Sequence, residues 1–237
     1  MQLERACLSA LSILCMPAII AAGRGRAVVT GTVTYTGTPA KPEAINMSKD
    51  PQCVKLNPKP RVTEDIVTGP GKTLQNVVVY ISAGDPGGSS APSEPAIFGQ
   101  KNCHFTQHVL AFQMGQELQM VNSDPLSHNI HPMPHINREW NKMLLPGTPP
   151  SSYSLDAQEF IPVKCNIHSW MRAYFVVLKT SYFAVTGEDG RFTLPDLPPG
   201  RYTVTAWHEV YGTRSQEITV VDGQQLLVDF VFNIKSK

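Results

Sequence analysis

Residues 165–171 read Cys-Asn-Ile-His-Ser-Trp-Met and place three metal-binding side chains on one short loop. Cys165, His168 and Met171 offer a thiolate, an imidazole and a thioether, with two residues between neighbours. Thiolate is a soft ligand, imidazole suits ions of intermediate softness, and a thioether binds weakly. The loop is too short to surround an ion alone, so a further ligand has to come from a distant strand.

Residues 127–131 (SHNIH) supply two imidazoles for that further position, His128 and His131. One Cys, two His and a weak axial Met form the ligand set of a blue-copper electron-transfer site. These ligands suit both Cu(I) and Cu(II), so an electron can pass with little rearrangement. The sequence therefore predicts one type 1 copper ion, with His128 as the first candidate for the remaining ligand and His131 as its competitor.

The composition favours many short strands and gives no indication of nucleic-acid binding. The 237 residues include 20 Pro and 17 Gly, and 42% are hydrophobic, which is enough for a substantial core. The formal net charge of +1 gives no electrostatic argument for a nucleic-acid partner. We therefore expect an all-β protein of one large or two small domains.

The N-terminus has the pattern of a secretory signal peptide. Arg5 gives a positive start, residues 6–22 form an apolar run, and small residues follow as far as Ala27. The alternative is a retained membrane anchor, but the run is short for a span and Pro17 interrupts it. We expect cleavage of residues 1–27, a periplasmic or secreted mature protein, and no membrane span after cleavage.

Three cysteines remain after that cleavage, an odd number for an oxidising compartment. If Cys165 binds metal, Cys53 and Cys103 are left to form a disulfide, which is a hypothesis at this stage. A catalytic pair of Cys165 and His168 is disfavoured, because no orienting acid stands beside them on the loop. The chain also shows no second full cluster of histidines, so we expect no enzymatic activity.

Hydrophobic patterning predicts strands along most of the chain. Residues 104–113 and 117–122 are predicted to pair as a hairpin, and residues 40–73 and 132–152 are predicted to be loops. Residues 84–95 (GDPGGSSAPSEP) have the composition of a linker. The other predicted strands are 28–36, 76–82, 159–164, 173–179, 201–207, 215–221 and 226–232.

The segment 104–179 resembles the cupredoxins, both in the approach to His128 and in its Cys-His-Met loop. The two-residue spacing from His168 to Met171 is similar to that of amicyanin, whose ligand loop is short. The resemblance implies His128, Cys165 and His168 as equatorial ligands and Met171 as the axial one. It also implies that Asn129 joins the two ligand loops by hydrogen bonding, which favours His128 over His131. No clear first strand is visible before Phe105.

Residues 181–232 resemble the carboxypeptidase regulatory-like, or transthyretin-like, β-sandwich. The matching stretches are 188–192 (EDGRF) and 197–202 (LPPGRY). That family opens on a Gly-x-Val strand followed by Gly-x-Pro, and these stand far upstream at 31–33 and 37–39. We infer a cupredoxin Greek-key unit inserted into this sandwich, since sandwich loops tolerate insertion. In the alternative, the N-terminal strands complete the cupredoxin barrel.

The resulting domain prediction has five parts. They are a signal peptide (1–27), the first part of the β-sandwich (28–83), a linker (84–96), the cupredoxin domain (97–179) and the second part of the sandwich (180–237). The predicted function is an exported single-electron carrier whose partner is a redox protein, either cytochrome c-like or a dehydrogenase. The alternative is an extracytoplasmic binding or adhesion module with a secondary copper site.

The remaining aromatic and imidazole side chains are assigned lesser roles. Trp170 either shields the metal or belongs to an apolar patch where the edge of His168 meets the partner, and the resemblance to cupredoxins favours the patch. His104 and His108 are predicted to lie on the surface. His208 is predicted to be a structural hydrogen-bonding residue.

Overall fold

The computed structural model describes residues 26–84, 87 and 90–234. The predicted signal peptide lies outside these residues except for its last two positions, and Ala27 is instead the first, fully buried residue of a strand. Among the described residues no helix is long and apolar enough to span a membrane. The elements are β1 Ala27–Thr36, α1 Pro51–Leu56, β2 Thr68–Gly69, β3 Thr73–Leu74, β4 Val78–Ala83, β5 Ala96–Gln100, β6 Val109–Gln113, β7 Leu118–Asn122, β8 His128–Pro132, β9 Lys142–Leu144, β10 Ser151–Tyr153, β11 Glu159–Lys164, β12 Arg172–Leu178, β13 Phe183–Val185, β14 Arg191–Leu197, β15 Gly200–His208, β16 Gly212–Val220, β17 Gln225–Leu227 and β18 Phe230–Asn233.

One unit is a β-sandwich made from both ends of the described chain. β1 pairs with β14, β17 and β18 in one sheet, while β13, β4, β15 and β16 form the other. Buried and half-buried residues alternate along β1, as the sequence pattern predicts for a strand with one face on a core. Val33, Val79, Phe192 and Phe230 meet in that core, so N-terminal and C-terminal strands bury each other.

The second unit lies in the chain between β4 and β13. Its sheets have the strand orders β10-β7-β5 and β6-β12-β11-β8-β9. Phe98, Phe112, Ile130 and Phe175 are fully or almost fully buried between them. β4 and β13 pair directly with each other, so the chain leaves the sandwich and re-enters it at neighbouring positions. The predicted all-β fold class is confirmed.

β12 joins the two units because both of its faces are buried. Phe175 and Val177 belong to the core of the second unit, while Val176 and Leu178 pack with Val78 of the sandwich. A strand covered on both faces is continuously apolar rather than alternating, and residues 173–178 (AYFVVL) have this pattern.

The predicted hairpin of residues 104–113 and 117–122 is wrong. β6 pairs in parallel with β12, and β7 pairs with β5 and β10 in the other sheet. The turn between β6 and β7 forms hydrogen bonds with other parts of the chain. The Met114 N–H donates to Leu178 O, and the Gly115 N–H donates to Leu155 O. The first strand that the sequence did not reveal is β5, which begins at Ala96, the last residue of the predicted linker.

The predicted loop of residues 40–73 contains structure that matters for the site. Asp50 caps α1 by accepting from the N–H groups of Gln52 at 3.0 Å and Cys53 at 3.1 Å, a common helix start. Cys53 and Cys103 are joined in a disulfide, which ties α1 to the segment before β6.

Candidate metal centre

Three predicted ligands meet in the interior of the second unit. His128 begins β8, Cys165 directly follows β11, and His168 lies in the turn before β12. Their ligand atoms all lie within 4.8 Å of one another. The Nδ1 atoms of the two imidazoles are 2.9 Å apart, and His168 Nδ1 is 3.9 Å from Cys165 Sγ. Two nitrogens and a sulfur therefore face one small volume.

A carboxylate contacts the Nε2 atom of each imidazole, on the side of the ring away from the other ligands. His128 Nε2 lies 2.8 Å from Asp124 Oδ2, and His168 Nε2 lies 3.1 Å from Asp50 Oδ2. A carboxylate on one ring nitrogen fixes the tautomer and directs the other nitrogen to a metal. Both rings are thus oriented to offer Nδ1.

Asp124 is itself fixed by the backbone of the disulfide segment. It accepts from the N–H of Cys103 at 2.7 Å and from that of Asn102, two residues with left-handed backbone conformation. Successive N–H groups turned towards one anion form a favourable anion site. Burial works to raise the pKa of Asp124, but the bonds from His128 and these N–H groups lower it overall. The carboxylate therefore stays charged beside His128.

Cys165 lies in surroundings that favour its thiolate form. Burial acts to raise the pKa of the thiol, but the hydrogen bond with His128 and nearby donors lower it below its ordinary value. Burial acts to lower the pKa of His128, but Asp124 and Cys165 raise it to about 9. The thiolate is the form that binds metal, and a metal ion would take the place of the proton that Asp124 and Cys165 otherwise keep on His128.

Asn129 joins the two ligand loops. Its Oδ1 accepts from the Asn166 N–H at 2.7 Å and lies 3.3 Å from Cys165 Sγ. Its amide donates to Asn141 Oδ1 at 2.6 Å. The structure thus gives Asn129 contacts of the kind that the resemblance implies.

Met171 and Trp170 complete the surroundings of the ligand loop. Met171 is fully buried in the same core as Cys165, and its N–H donates to His168 O at 2.9 Å. Trp170 is half-buried, lies 5.1 Å from the His168 ring between centroids, and donates from Nε1 to Cys103 O at 2.9 Å. Trp170 therefore covers His168 on the side of the disulfide.

The expectation that the edge of His168 reaches the surface is not met. Only 3% of this residue is exposed, because Asp50 at the start of α1 lies against its Nε2. The role of Trp170 in a partner patch stays a prediction. The interpretation of Trp170 as a shielding residue fits its contacts.

His131 lies away from the three ligands, although it is only three residues from His128. Its Nδ1 lies 3.0 Å from Asn166 Oδ1 and its Nε2 2.6 Å from Glu139 Oε1. Both ring nitrogens are therefore engaged outside the cluster, because successive odd and even positions on a strand point to opposite faces. The position of His131 gives no support to it as a replacement for His128.

The surface assignment of His104 and His108 is wrong. The side chain of His108 is 5% exposed and that of His104 is 13% exposed, and both face Glu64. The reason is tertiary, since Glu64 contacts both rings and Glu209 contacts that of His108, and both are distant in the sequence. His208 is buried and accepts from the Val210 N–H at 3.1 Å, a structural hydrogen bond. Burial lowers the pKa of His208 to about 4, so it is neutral.

Sequence reasoning missed Asp50 and Asp124. The sequence contained a signal for Asp124, which stands four residues before His128 and just ahead of Pro125. Asp50 carried only a helix-cap signal, an acid before Pro51. Nothing local connects it with His168, because 118 positions separate the two residues.

Comparison with known proteins gives a family match for the C-terminal part of the chain. Residues 173–233 match the carboxypeptidase regulatory-like domain model. The match contains residues 181–232, so the predicted resemblance is confirmed there. It also includes residues 173–179, which the sequence analysis assigned to the cupredoxin domain. No curated protein matches the chain.

Several solved structures are similar to part of the chain. A copper-containing nitrite reductase from Thermus scotoductus SA-01 has 15% identity and a TM-score of 0.34, over 43% of this chain and 25% of the other. Amicyanin from Paracoccus versutus has 14% identity and a TM-score of 0.33, over 42% and 97%. A purple cupredoxin from Nitrosopumilus maritimus has 17% identity and a TM-score of 0.30, over 35% and 98%. This chain thus spans about a quarter of the nitrite reductase chain, and amicyanin and a cupredoxin are among the structures similar to part of it.

Proposed function

We propose that this chain is an exported type 1 copper protein that carries single electrons through a mononuclear centre of Cys165, His128, His168 and Met171. The main support is the convergence of two imidazole Nδ1 atoms and one sulfur within 4.8 Å. The carboxylates on both Nε2 atoms leave Nδ1 of each ring for the metal.

The donor set fits copper. A buried thiolate with two imidazoles and an axial thioether, the role that we propose for Met171, is the ligand combination of blue-copper sites. Copper, when bound, supplies one-electron exchange between Cu(I) and Cu(II). The chain's own residues hold the donors in place, because Asp124, Asp50 and Asn129 each bond to a ligand or its loop.

A carrier is favoured over an enzyme because the donors are enclosed. His128 is fully buried, and Cys165 and His168 are 2% and 3% exposed. A substrate that had to reach the metal would need an open ligand position. An electron needs only close approach of a partner.

We propose an oxidising, extracytoplasmic location. The disulfide between Cys53 and Cys103 is typical of exported proteins. It also fixes the Asn102–Cys103 backbone that holds Asp124, so oxidation supports the ligand geometry.

We propose that the redox partner, a cytochrome c-like protein or a dehydrogenase, docks on the ligand loop. Ile167 stands between two ligands and is 47% exposed. Because exposed apolar side chains favour association, Ile167→Ser should slow electron exchange with a soluble cytochrome c, measured by stopped flow. The blue absorption should be unchanged, and an equal exchange rate for both proteins would contradict docking at this loop.

The proposed copper centre is tested by visible and EPR spectra after addition of one equivalent of Cu(II). We expect an intense thiolate-to-copper band that ascorbate bleaches and that Cys165→Ser abolishes. A pale spectrum unchanged by Cys165→Ser would refute the centre and favour the binding-module alternative.

His128→Gln and His131→Gln make a matched pair for the same experiment. The two residues lie three positions apart on β8, but only His128 faces Cys165. The band should be lost in the first variant and kept in the second. The opposite result would assign the ligand to His131.

A further inference from the structure

A second group of metal-binding side chains lies where three distant parts of the chain meet. Asp65 comes from the segment between α1 and β2, His108 directly precedes β6, and Glu209 directly follows β15. One potential ligand atom from each residue lies within 4.8 Å of the others. None of the three belongs to the proposed copper ligands.

Two of the three side chains in this group are almost fully buried, which is unusual for charged side chains. The side chains of His108 and Glu209 are only 5% and 10% exposed, and His108 Nε2 contacts Glu209 Oε1 directly. Buried charges in proteins are paired or coordinate metal ions. The position of His108 is fixed, since its carbonyl accepts from the Tyr174 N–H at 2.8 Å.

Three carboxylates lie near His108, and Arg172 lines both of the adjacent cavities. Glu64 Oε2 lies 3.9 Å from His108 Nδ1 and 3.1 Å from His104 Nε2, so a third carboxylate stands behind the group. The carboxylates of Asp65, Glu209 and Glu64 supply the oxygen donors and the negative charge that a divalent cation needs.

Two cavities give solvent access to the group. A cavity of about 360 Å³ is lined by Glu64, Asp65, His104 and His108. A second cavity of about 550 Å³ is lined by Asp65 and Glu209. An ion therefore has an entry path, and the direct contact between His108 and Glu209 would open for both atoms to reach bonding distance of about 2 Å from a zinc ion.

We propose that Asp65, His108 and Glu209 form a second metal site, separate from the copper centre, for a divalent ion of the zinc class. Nitrogen and carboxylate oxygen donors suit Zn²⁺ and exclude a preference for Cu(I), which favours sulfur. Glu64 and His104 act as positioning residues behind it. Because the ligands come from the N-terminal segment, the inserted unit and the sandwich, a bound ion would join all three.

The test is equilibrium dialysis of the full chain against Zn²⁺, with bound metal counted by mass spectrometry. Glu209→Gln and His108→Gln should each bind one Zn²⁺ fewer than the parent, or bind it about 10-fold more weakly or worse. Zinc that binds at Cys165 contributes equally to all variants and cancels in the difference. Zn²⁺ should also raise the Tm of the parent more than that of either variant.

Glu139→Gln is the matched control. Glu139 also contacts a histidine Nε2, that of His131 at 2.6 Å, but on an exposed surface. This variant should bind as much Zn²⁺ as the parent.

Asp65→Asn gives a further test if Glu209→Gln and His108→Gln do not fold. It is suitable because Asp65 is only half-buried, whereas the side chains of His108 and Glu209 are almost fully buried. Equal zinc binding by the parent, Glu209→Gln and Asp65→Asn would overturn the site and leave a plain ion pair.

Discussion

At the scale of single residues, the candidate centre depends on carboxylates as much as on its ligands. Asp124 accepts hydrogen bonds from two backbone N–H groups of the disulfide segment and contacts the ring of His128. The backbone of that segment therefore fixes the position of the His128 ring. Asp50, at the start of α1, positions the ring of His168 in the same way through its contact with Nε2. Neither carboxylate faces the ligand volume, so both are positioning residues.

Asp124→Asn should keep a blue centre but weaken it. The neutral amide is a poorer partner for His128 Nε2, so the ring becomes a less basic ligand and Cu(II) loses more than Cu(I). We expect a higher reduction potential by voltammetry and a copper affinity lower by about 10–100-fold. Asp156→Asn, an exposed substitution, should leave both unchanged. An unchanged potential in Asp124→Asn would contradict the positioning role.

Glu159 shapes the proline-rich excursion that precedes β11. Its carboxylate accepts from the N–H groups of Ile136 at 3.0 Å and Asn137 at 2.9 Å, and from that of His135. Burial acts to raise the pKa of Glu159, but these donors lower it overall. These bonds hold residues 135–137 against Glu159. The prediction of a plain loop over residues 132–152 is wrong, because β9 lies within this range and β10 begins at its end.

Glu159→Gln should lower the free energy of unfolding at neutral pH by about 2 kcal/mol, because charged hydrogen bonds are lost. A lowered native pKa gives stability that is present above the unfolded pKa of about 4.3 and is lost as the pH falls through the native pKa. The difference from the parent should therefore shrink in acid, measured by urea unfolding across pH. Glu217→Gln, an exposed change on β16, should show no such pattern. A pH-independent difference would contradict the account.

At the scale of elements, β12 connects the site to the rest of the molecule. It leaves the ligand loop, and its two faces pack into two different apolar clusters. The ring of Trp207 from the sandwich lies 4.8 Å from that of Phe160 and 5.4 Å from that of Tyr174, between centroids. The junction is therefore an apolar core rather than a loose linker contact.

Val176→Ala and Val177→Ala test this two-sided burial. The two residues are neighbours on β12 and both are fully buried, one against the sandwich and one inside the second unit. Each substitution removes two methyl groups and should cost about 2 kcal/mol of unfolding free energy. Denaturant unfolding measures both. A loss of less than about 0.5 kcal/mol for Val176→Ala, as at a surface position, would contradict the junction.

At the scale of the whole molecule, the disulfide joins the N-terminal segment to the candidate centre. It closes a chain separation of 50 residues and lies beneath Trp170. α1 reaches His168 through Asp50, and Cys103 reaches His128 through Asp124. Both imidazoles are therefore coupled to the same cross-link.

The double variant Cys53→Ser, Cys103→Ser should lower the free energy of unfolding by about 4 kcal/mol, from the chain entropy of a loop of this length. It should also broaden the copper EPR signal, because both carboxylates lose their anchor. Calorimetry and EPR measure the two effects. Unchanged EPR in a destabilised protein would show that the cross-link acts on stability alone.

The sequence alone predicted most of the strands and the ligand group. Period-2 patterns identified β1, continuous apolar residues identified β12, and the spacing of Cys165, His168 and Met171 led to the copper chemistry that we propose. These are local signals, since side-chain alternation and loop spacing are set by neighbours in the chain. The predicted family match at the C-terminus is a local pattern as well.

Only the tertiary structure decided how strands pair and what surrounds the ligands. β6 and β7 follow one another but lie in different sheets, because their partners β12 and β5 are chosen by burial rather than by sequence order. The burial of His168 by Asp50, and of His108 by Glu209, joins residues more than 100 positions apart. Such contacts depend on where separate elements pack, and no pattern within a single segment determines that.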